Sequence, residues 1–370
     1  MKKKIMCVFG TRPEAIKMAP LVKALQQAPE FECAVCVTAQ HREMLDQVME
    51  IFDLKADYDL NLMRPGQTLT TITTGVLEGM EQVLRQAKPE LVLVHGDTTT
   101  SFAAGLAAFY QQIPVGHVEA GLRSFDPLSP YPEEMNRCIT GKVATLHFAP
   151  TAQNVANLAA EGVTKHVYKT GNTVIDALHC MVQPGYTFRS QQLAEIPLER
   201  QTILLTAHRR ENLGDGMRQI FAAVQQLCAA YPQLQFIYPV HPNPAVRRPA
   251  QEMLGSLPQV HLIDPLDVQD MHNLISRVYF VMTDSGGLQE EAPALGKPVL
   301  VLRTETERPE AVQMGTVRMA GVQTERIVQL ARQLLDEPAE YEKMANAVNP
   351  YGDGTASVQI CAALKQYFGL

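Results

Sequence analysis

The sequence lacks the short motifs that usually identify a nucleotide cofactor or a metal. No G-x-G-x-x-G follows the first predicted strand and there is no Walker phosphate loop, which disfavours dinucleotides and ATP as ligands. No Cys and His residues have the spacing of a zinc site. We therefore expect no metal and no redox cofactor, and any active site must be assembled from residues that are distant in the chain.

Excess positive charge and long apolar segments are also missing. The net charge is −7, so binding to nucleic acid or to an anionic membrane is not expected. The seven cysteines are scattered, and the CxxC formed by Cys33 and Cys36 lies inside a predicted strand, where ordinary strand residues are favoured over a redox pair. No segment is long enough to span a bilayer, and the first apolar run ends at Gly10, too early for a signal peptide. These features predict a cytoplasmic protein.

The chain alternates predicted strands and helices along its length. It has 370 residues, of which 46% are hydrophobic, and this is enough for two domains with cores of their own. Strand–helix alternation predicts a doubly wound parallel sheet in each. We predict a first domain from residues 1–169 together with a terminal helix at 356–370, and a second domain from residues 170–355.

Three acidic side chains follow apolar strands or open a helix in the first half. Asp97 and Glu119 come directly after predicted strands, and Glu133 lies in the first turn of a predicted helix. Each has a plain structural alternative: Asp97 as a helix N-cap, Glu119 as the ion-pair partner of Arg123, and Glu133 as a complement to the helix dipole. The carboxyl ends of parallel strands face one crevice, so the three acids are expected to converge there. Carboxylates in one low-dielectric site make acid and base roles available together.

Basic side chains are found at similar positions. Arg12 lies in the turn after the first strand, with Lys17 in the following helix, and His208 follows the first strand of the second domain. Arg308 follows a later strand and is a candidate clamp for phosphate or carboxylate. An exposed or purely structural role remains the alternative for each.

The stretch TDSGGLQEEAPALGKPVLVL predicts a strand–turn–helix unit. The apolar run Val278–Met282 is typical of a buried strand, and Ser285, Gly286 and Gly287 form the turn. Backbone N–H groups at such a turn suit a phosphate, and an acid one helical turn later can bind ribose hydroxyls. The alternative is an ordinary connection in which the Ser caps the helix.

Taken together and in order, seven stretches closely resemble the non-hydrolysing UDP-N-acetylglucosamine 2-epimerases of bacteria. They extend from residue 5 to about residue 315 and are FGTRPEAIKMAPLV, TAQHREMLDQV, HGDTTTSFAAGLAAF, HVEAGLRS, YPEEMNR, AHRREN and TDSGGLQEEAPALGKPVLVLRTETERPEAV. The resemblance implies an α/β GT-B fold, in which two Rossmann-like doubly wound parallel-sheet domains face each other across a cleft. It also implies a homodimer.

The resemblance assigns roles to individual residues of this sequence. It places the catalytic groups at Asp97, Glu119, Glu133 and His208. The positions that match substrate-binding residues of the family are Arg12, Lys17, Leu266, Met271, Ser285, Gly286, Gly287, Glu291 and Arg308. Among these, Leu266 matches a backbone contact to uracil, Met271 stands where some relatives have an aromatic residue, and Glu291 matches the ribose acid.

Some members of the family also bind a second UDP-N-acetylglucosamine as an activator. Gln40, His41 and His241 are compatible with that allosteric pocket. Glu43 and Gly66 differ from the Gln and Arg expected in clearly allosteric members.

The function implied by the resemblance is reversible inversion at C2 of UDP-N-acetylglucosamine (UDP-GlcNAc), giving UDP-N-acetylmannosamine (UDP-ManNAc) for cell-surface polysaccharide synthesis. The hydrogen at C2 is not acidified by a carbonyl, so elimination of UDP to 2-acetamidoglucal and re-addition is the expected route. The alternatives are a hydrolysing epimerase, a GT-B glycosyltransferase and a UDP-sugar-binding module without turnover. The three acids argue against the binding module, because an anionic ligand gives no reason to gather carboxylates beside it.

Overall fold

The computed structural model describes residues 2–39, 42–64, 66–198 and 201–370, and the chain divides into two units. The first unit comprises Met1–Ala177 and Tyr351–Leu370, and the second comprises Leu178–Pro350. Among the described residues, no helix has both the length and the apolar character needed to cross a membrane.

The first unit is built on a parallel sheet of seven strands, in the order β3-β2-β1-β4-β5-β6-β7. The strands are β1 (Lys3–Phe9), β2 (Phe31–Val37), β3 (Tyr58–Asp59), β4 (Leu91–His95), β5 (Val115–Val118), β6 (Leu146–Ala149) and β7 (Val167–Lys169). The chain turns one way from β1 and the other way from β4, so the switch point of the sheet lies between these two strands. Open α/β sheets bind ligands at such a point.

The second unit has a parallel sheet of six strands, in the order β10-β9-β8-β11-β12-β13. The strands are β8 (Thr202–Thr206), β9 (Gln235–Pro239), β10 (Val260–Ile263), β11 (Phe280–Thr283), β12 (Val299–Val301) and β13 (Val317–Met319). The switch point lies between β8 and β11. Strand β11 begins later than the apolar run at Val278 predicts, because the Val278 N–H closes the preceding helix by donating to the Leu274 carbonyl.

Helices connect the strands and cover both sheets. They are α1 (Arg12–Gln27), α2 (Arg42–Ile51), α3 (Leu69–Ala87), α4 (Thr99–Tyr110), α5 (Glu133–Val143), α6 (Ala152–Ala160), α7 (Thr173–Met181), α8 (Gln191–Ala194), α9 (Asp215–Ala230), α10 (Pro244–Leu254), α11 (Val268–Arg277), α12 (Leu288–Ala294), α13 (Pro309–Met314), α14 (Thr324–Asp336), α15 (Pro338–Ala345) and α16 (Ala356–Phe368). Strands covered on both faces are apolar throughout, as in β4, where every residue of LVLVH is buried.

The chain leaves the first unit within α7 and returns just before α16. The Asp176 carboxylate of α7 accepts hydrogen bonds from the backbone N–H groups of Ala356 (3.2 Å) and Ser357 (2.7 Å). An acid at this position satisfies helix N–H groups that have no partner within α16. The start of α7 and the terminal helix are thereby joined, which accounts for the division of the chain after Ala177.

Candidate active site

A buried acid joins two turns at the switch point of the first unit. Glu14 Oε2 accepts from the N–H groups of Gly10 (3.1 Å) and Thr11 (2.8 Å), which follow β1. Glu14 Oε1 accepts from the hydroxyls of Thr98 (2.7 Å) and Ser101 (2.9 Å), which follow β4. Burial raises the pKa of Glu14 even though all four groups donate to it. Glu14 is not among the site residues predicted from the sequence, yet it joins the turn before Arg12 to the turn that carries Asp97.

Asp97 lies in the β4–α4 turn and forms an ion pair with Arg137. It is not the N-cap of α4, because that position is Thr98, whose Oγ1 accepts from the Ser101 N–H at 3.0 Å. Asn136 also holds the turn, by donating to the Asp97 carbonyl at 3.0 Å. Burial raises the pKa of Asp97, and the charge of Arg137 opposes this effect. The structural alternative for Asp97 is therefore excluded.

Glu119 follows β5 with a left-handed backbone conformation, φ 64°. Its Oε2 atom accepts from Lys17 and from Asn172 Nδ2, the latter at 3.0 Å. Buried His95 lies 3.6 Å from the same oxygen. The alternative pairing with Arg123 is wrong, because Arg123 is committed to Glu161 through Nη2–Oε2 (3.0 Å) and Nε–Oε1 (2.5 Å).

Asp97 and Glu119 are close neighbours. A Cβ atom placed on Gly96 would lie 3.6 Å from Glu119 Oε1, and the Glu119 charge contributes to the raised pKa of Asp97. One carboxylate is paired with Arg137 and the other with Lys17. Arg137 is shared with Glu134, whose Oε2 lies 3.4 Å from its Nη1. The two neighbouring acids give the site groups that can exchange protons with a substrate.

Helix α5 supplies the third predicted acid and a cation that sequence reasoning missed. Glu133 is its first residue and is partly exposed. The next residue, Glu134, is buried and accepts from the N–H groups of Ser124 and Phe125, both at 3.0 Å. Arg137 lies one turn after Glu133, and this i, i+4 spacing was the available signal for it. No hydrogen bond joins Glu133 to Asp97 or Glu119 in the described part of the chain.

In the second unit, the predicted phosphate turn follows β11. The N-cap residue of α12 is Gly287, which excludes a Ser cap. The Ser285 N–H instead donates to Thr283 Oγ1 at 2.9 Å. A Cβ atom on Gly286 would lie 3.8 Å from Arg209 Nη2 and 3.9 Å from Arg308 Nη2. The Glu307 carboxylate borders the same position, with Oε2 3.9 Å from it. The two guanidinium groups suit an anionic ligand.

Asp284 fixes His208 beside this turn. Fully buried Asp284 accepts at Oδ2 from the backbone N–H groups of His208 and Arg209, both at 2.8 Å, and from Asn212 Nδ2 at 3.0 Å. The His208 ring stacks on His241, with centroids 5.4 Å apart and planes inclined by 8°. Burial lowers the pKa of His208, the Asp284 carboxylate 3.6 Å away opposes this effect, and His241 and Arg209 add to it. A neutral imidazole is thus favoured at neutral pH.

The remaining nucleotide candidates lie around α11 and α12. Glu291 Oε2 is 3.3 Å from Nε2 of buried His272, a neighbour that the sequence did not reveal. Leu266, in the turn after β10, and Met271, in α11, are both partly buried. Arg308 forms an ion pair with Glu290 of α12.

Two points remain from the sequence analysis, the predicted allosteric pocket and the binding of a metal ion. Gln40 and His41 lie outside the described residues, so the allosteric pocket stays a prediction. Among the described residues, no three His, Cys, Asp or Glu side chains are arranged to hold a metal ion.

Similarity to known proteins extends over the whole chain. The family model for UDP-N-acetylglucosamine 2-epimerase matches residues 23–365. The UDP-N-acetylglucosamine 2-epimerase of Bacillus subtilis is 54% identical over 371 residues, covering 100% of this chain and 97% of that protein. The crystal structure of the Neisseria meningitidis UDP-GlcNAc 2-epimerase bound to UDP-GlcNAc is 50% identical, with a TM-score of 0.85 and coverage of 98% and 100%. The Staphylococcus aureus MnaA–UDP co-structure is 51% identical, with a TM-score of 0.88 and coverage of 100% and 97%.

Fold and site together define the class of protein. Two parallel α/β sheets, each with its candidate residues at the carboxyl ends of the strands, form a two-domain Rossmann-like GT-B fold. A sucrose-phosphate synthase from Thermosynechococcus elongatus, only 13% identical, shares this fold with a TM-score of 0.67 over both whole chains. The chain belongs to the UDP-N-acetylglucosamine 2-epimerase family. The resemblance inferred from the seven stretches is confirmed.

Proposed function

We propose that this protein interconverts UDP-GlcNAc and UDP-ManNAc without releasing free sugar. The observation that carries the proposal is the pair Asp97 and Glu119, adjacent at one switch point and each held by a cation. A protein that only bound an anionic ligand would gain nothing from two neighbouring carboxylates. Inversion of a carbon centre, in contrast, requires a proton to be removed on one face and delivered on the other.

The proposed chemistry is elimination followed by re-addition. A base takes the proton from C2, the C1–C2 double bond forms, and the C1–O bond breaks with its electron pair leaving on UDP. The intermediate is 2-acetamidoglucal. A phosphate oxygen of UDP then bonds to C1 while a proton is delivered to the opposite face of C2, so no oxidant or water is consumed.

We assign the proton transfers to the first unit. Asp97, Glu119 and Glu133 are the acid–base candidates, and Lys17 and Arg137 set the charge around them. Burial raises the pKa of Asp97 above its ordinary value, against the charge of Arg137, which makes it easier for this carboxylate to take up a proton. Arg12 is exposed at the start of α1, where it can meet a phosphate.

The second unit suits the nucleotide. The Ser285–Gly287 turn, His208 and Arg308 are proposed to stabilise the charge that develops on the diphosphate. Such preorganised donors each contribute about 3 kcal/mol in favourable cases. Glu291, fixed beside His272, is proposed to accept from the ribose hydroxyls.

Proton NMR of the protein incubated with UDP-GlcNAc in D2O tests the proposal. Epimerisation gives a UDP-ManNAc signal and deuterium at C2 of both sugars. Free sugar released in equal amount with UDP supports a hydrolysing enzyme. A spectrum without change supports a binding module, and turnover that begins only when a sugar acceptor is added supports a glycosyltransferase.

Asp97→Asn tests the role of the best-placed acid. The change keeps the size of the side chain and a hydrogen-bond acceptor for Arg137, but it removes proton transfer. Turnover is expected to fall at least about 100-fold, the usual scale for a general acid or base, with UDP affinity unchanged in isothermal titration calorimetry. Equal turnover in the variant and the wild type would remove Asp97 from the mechanism.

We further propose that the product supplies cell-surface polysaccharide synthesis and that the protein is a homodimer, as the family resemblance implies. Light scattering after size-exclusion chromatography measures the second point directly, and a mass near 41 kDa for the chain of 40.9 kDa would contradict it.

A further inference from the structure

Asn172 is a buried residue that contacts the candidate acid Glu119. It lies outside the seven stretches that resemble the family, and the sequence assigns it no role. It is 3% exposed and lies between β7 and α7. Its Nδ2 group donates to Glu119 Oε2 at 3.0 Å, across 53 positions of the chain. We propose that Asn172 is a positioning residue that holds the Glu119 carboxylate in its reactive orientation. This inference rests on the proposed function, in which Glu119 takes part in proton transfer.

The oxygen and the NH2 group of the Asn172 amide have different hydrogen-bonding roles. Oδ1 accepts from the Val174 N–H at 3.1 Å, which is the ordinary role of an asparagine at the start of a helix. That role uses only the oxygen. The NH2 end is directed to Glu119, so the contact with the acid goes beyond what capping α7 requires.

The contact fixes one oxygen of Glu119. Lys17 and Asn172 both donate to Oε2, and His95 lies 3.6 Å from the same atom. With Oε2 held from two directions, Oε1 faces the β4–α4 turn, where it would lie 3.6 Å from a Cβ atom on Gly96. This is the turn that carries Asp97. The amide and the Lys17 ammonium together set the orientation in which the Glu119 carboxylate is presented beside the second acid.

The backbone of Asn172 is anchored as firmly as its side chain. Its N–H donates to the carbonyl of Tyr351 at 2.7 Å, the residue at which the chain returns to the first unit. Gly171, with φ 83°, packs so closely on this segment that a Cβ would lie 3.1 Å from the Tyr351 oxygen. The donor that orients Glu119 is thus held from both sides.

Two substitutions separate the positioning role from the capping role. Asn172→Asp keeps an oxygen for the Val174 N–H and nearly the same volume, but it replaces the NH2 donor with a second carboxylate beside Glu119. Asn172→Ser also keeps a good helix cap, since Ser is among the preferred residues there, and its hydroxyl is too short to replace the amide contact. Both variants lose the donor while α7 keeps its cap.

The expected result is a loss of kcat of about 10- to 100-fold in both variants, because a small misplacement of a reacting group has effects on this scale. KM and UDP affinity should change less than threefold. The pH profile of kcat should shift to higher pH in Asn172→Asp, since a like charge raises the pKa of a neighbouring acid. The groups that already face Glu119 are the Lys17 cation, which opposes this shift, the Asp97 carboxylate and the neutral His95 ring. Asn172→Ser should not show that shift.

Asn157→Asp is the matched control. Asn157 is also buried in the first unit, and its Nδ2 group donates at 3.0 Å to a backbone carbonyl, that of Gly121. This variant is expected to lose thermal stability but to keep kcat within about threefold. If it lost as much activity as the Asn172 variants, a general effect of buried amides would explain both, and the proposal would be overturned.

Wild-type protein in the same NMR assay distinguishes a failure of the proposed function from a failure of the positioning role of Asn172. If the wild type does not epimerise UDP-GlcNAc, the proposed function fails and the positioning role fails with it. If the wild type is active and both Asn172 variants keep kcat within threefold, only the positioning role fails. Should Asn172→Asp not fold, Asn172→Ser alone decides.

Discussion

Three buried histidines make the stability of the first unit sensitive to mild acid. His95, His117 and His147 are at most 3% exposed, and burial is the main cause that lowers the pKa of His95 to about 4, of His117 to about 3 and of His147 to about 4. His117 and His147 lie opposite each other on β5 and β6, and Arg123 lowers the pKa of both. Each ring is neutral in the folded protein at pH 7.

The sign of the effect follows from proton binding. Between the unfolded pKa of 6.5 and the folded values, the unfolded chain binds protons that the folded chain does not bind. The stability provided by the neutral rings is therefore complete above pH 6.5 and is lost as the pH falls towards 4. Each histidine contributes about 1.4 kcal/mol per pH unit, so three contribute about 4 kcal/mol per unit. A fall from pH 7 to pH 5 removes about 5 kcal/mol, which is comparable to the whole stability of many domains.

Urea unfolding at half-unit steps from pH 7.5 to pH 5 measures this slope. The chain has no tryptophan, so far-UV circular dichroism is the suitable signal. In His117→Gln, the amide can replace the imidazole N–H that donates to the Gly96 carbonyl at 2.7 Å, but it does not titrate. The variant should lose about 1.4 kcal/mol per pH unit less than the wild type.

Exposed His179 provides the control, and His179→Gln should leave the slope unchanged. Contributions from carboxylates are common to the wild type and both variants, so they cancel in the comparison. Equal slopes in the wild type and His117→Gln would refute the reasoning, because they would mean that His117 takes up its proton in the folded protein as easily as in the unfolded chain.

Three further changes test other parts of the structure. Glu14→Ala should cost about 2–4 kcal/mol in urea unfolding, since it leaves two buried N–H groups without an acceptor, and Glu14→Gln should recover part of the loss. Gly121→Ala should cost at least about 2 kcal/mol, because its Cβ would lie 2.3 Å from the Asn154 carbonyl oxygen at φ 90°; a melting temperature equal to the wild type would contradict the close approach. Glu291→Gln should weaken UDP binding in calorimetry but not pyrophosphate binding, and equal losses for both ligands would argue against a ribose contact.

The strands and their topology could be predicted from the sequence more reliably than the ion-pair partners of the charged side chains. Strand ends can be recognised from apolar runs, and topology brings the carboxyl ends of parallel strands together, so Asp97 and Glu119 were expected to be neighbours. The partner of Glu119 was a harder problem. Arg123 is four residues away in sequence, whereas Lys17 is 102 positions away. The choice depends on the left-handed backbone at Glu119 and on Glu161, which binds Arg123, and neither can be inferred from local spacing.

Five acids of the two candidate sites have two kinds of hydrogen-bond partner, which motif matching does not separate. Glu14, Glu134 and Asp284 each accept from two backbone N–H groups of a neighbouring loop. An acid used in this way is a structural clamp, because protonating it would leave buried N–H groups without a charged acceptor. Asp97 and Glu119 instead accept from side chains, Asp97 from Arg137 and Glu119 from Lys17 and Asn172. Arg137 also lies 3.4 Å from Glu134, so the backbone contacts, and not the nearby cation, separate the two kinds.

The backbone contacts bear on the role proposed for one of the two adjacent glutamates at the start of α5. Both belong to the stretch YPEEMNR, and from sequence either one could be the catalytic acid. Glu134 is 2% exposed, and both of its oxygens are occupied by the backbone of Ser124 and Phe125. Moving its proton during turnover would loosen that loop in every cycle. Glu133 is partly exposed at the first position of the helix, and this exposure supports the role proposed for Glu133 over one for Glu134.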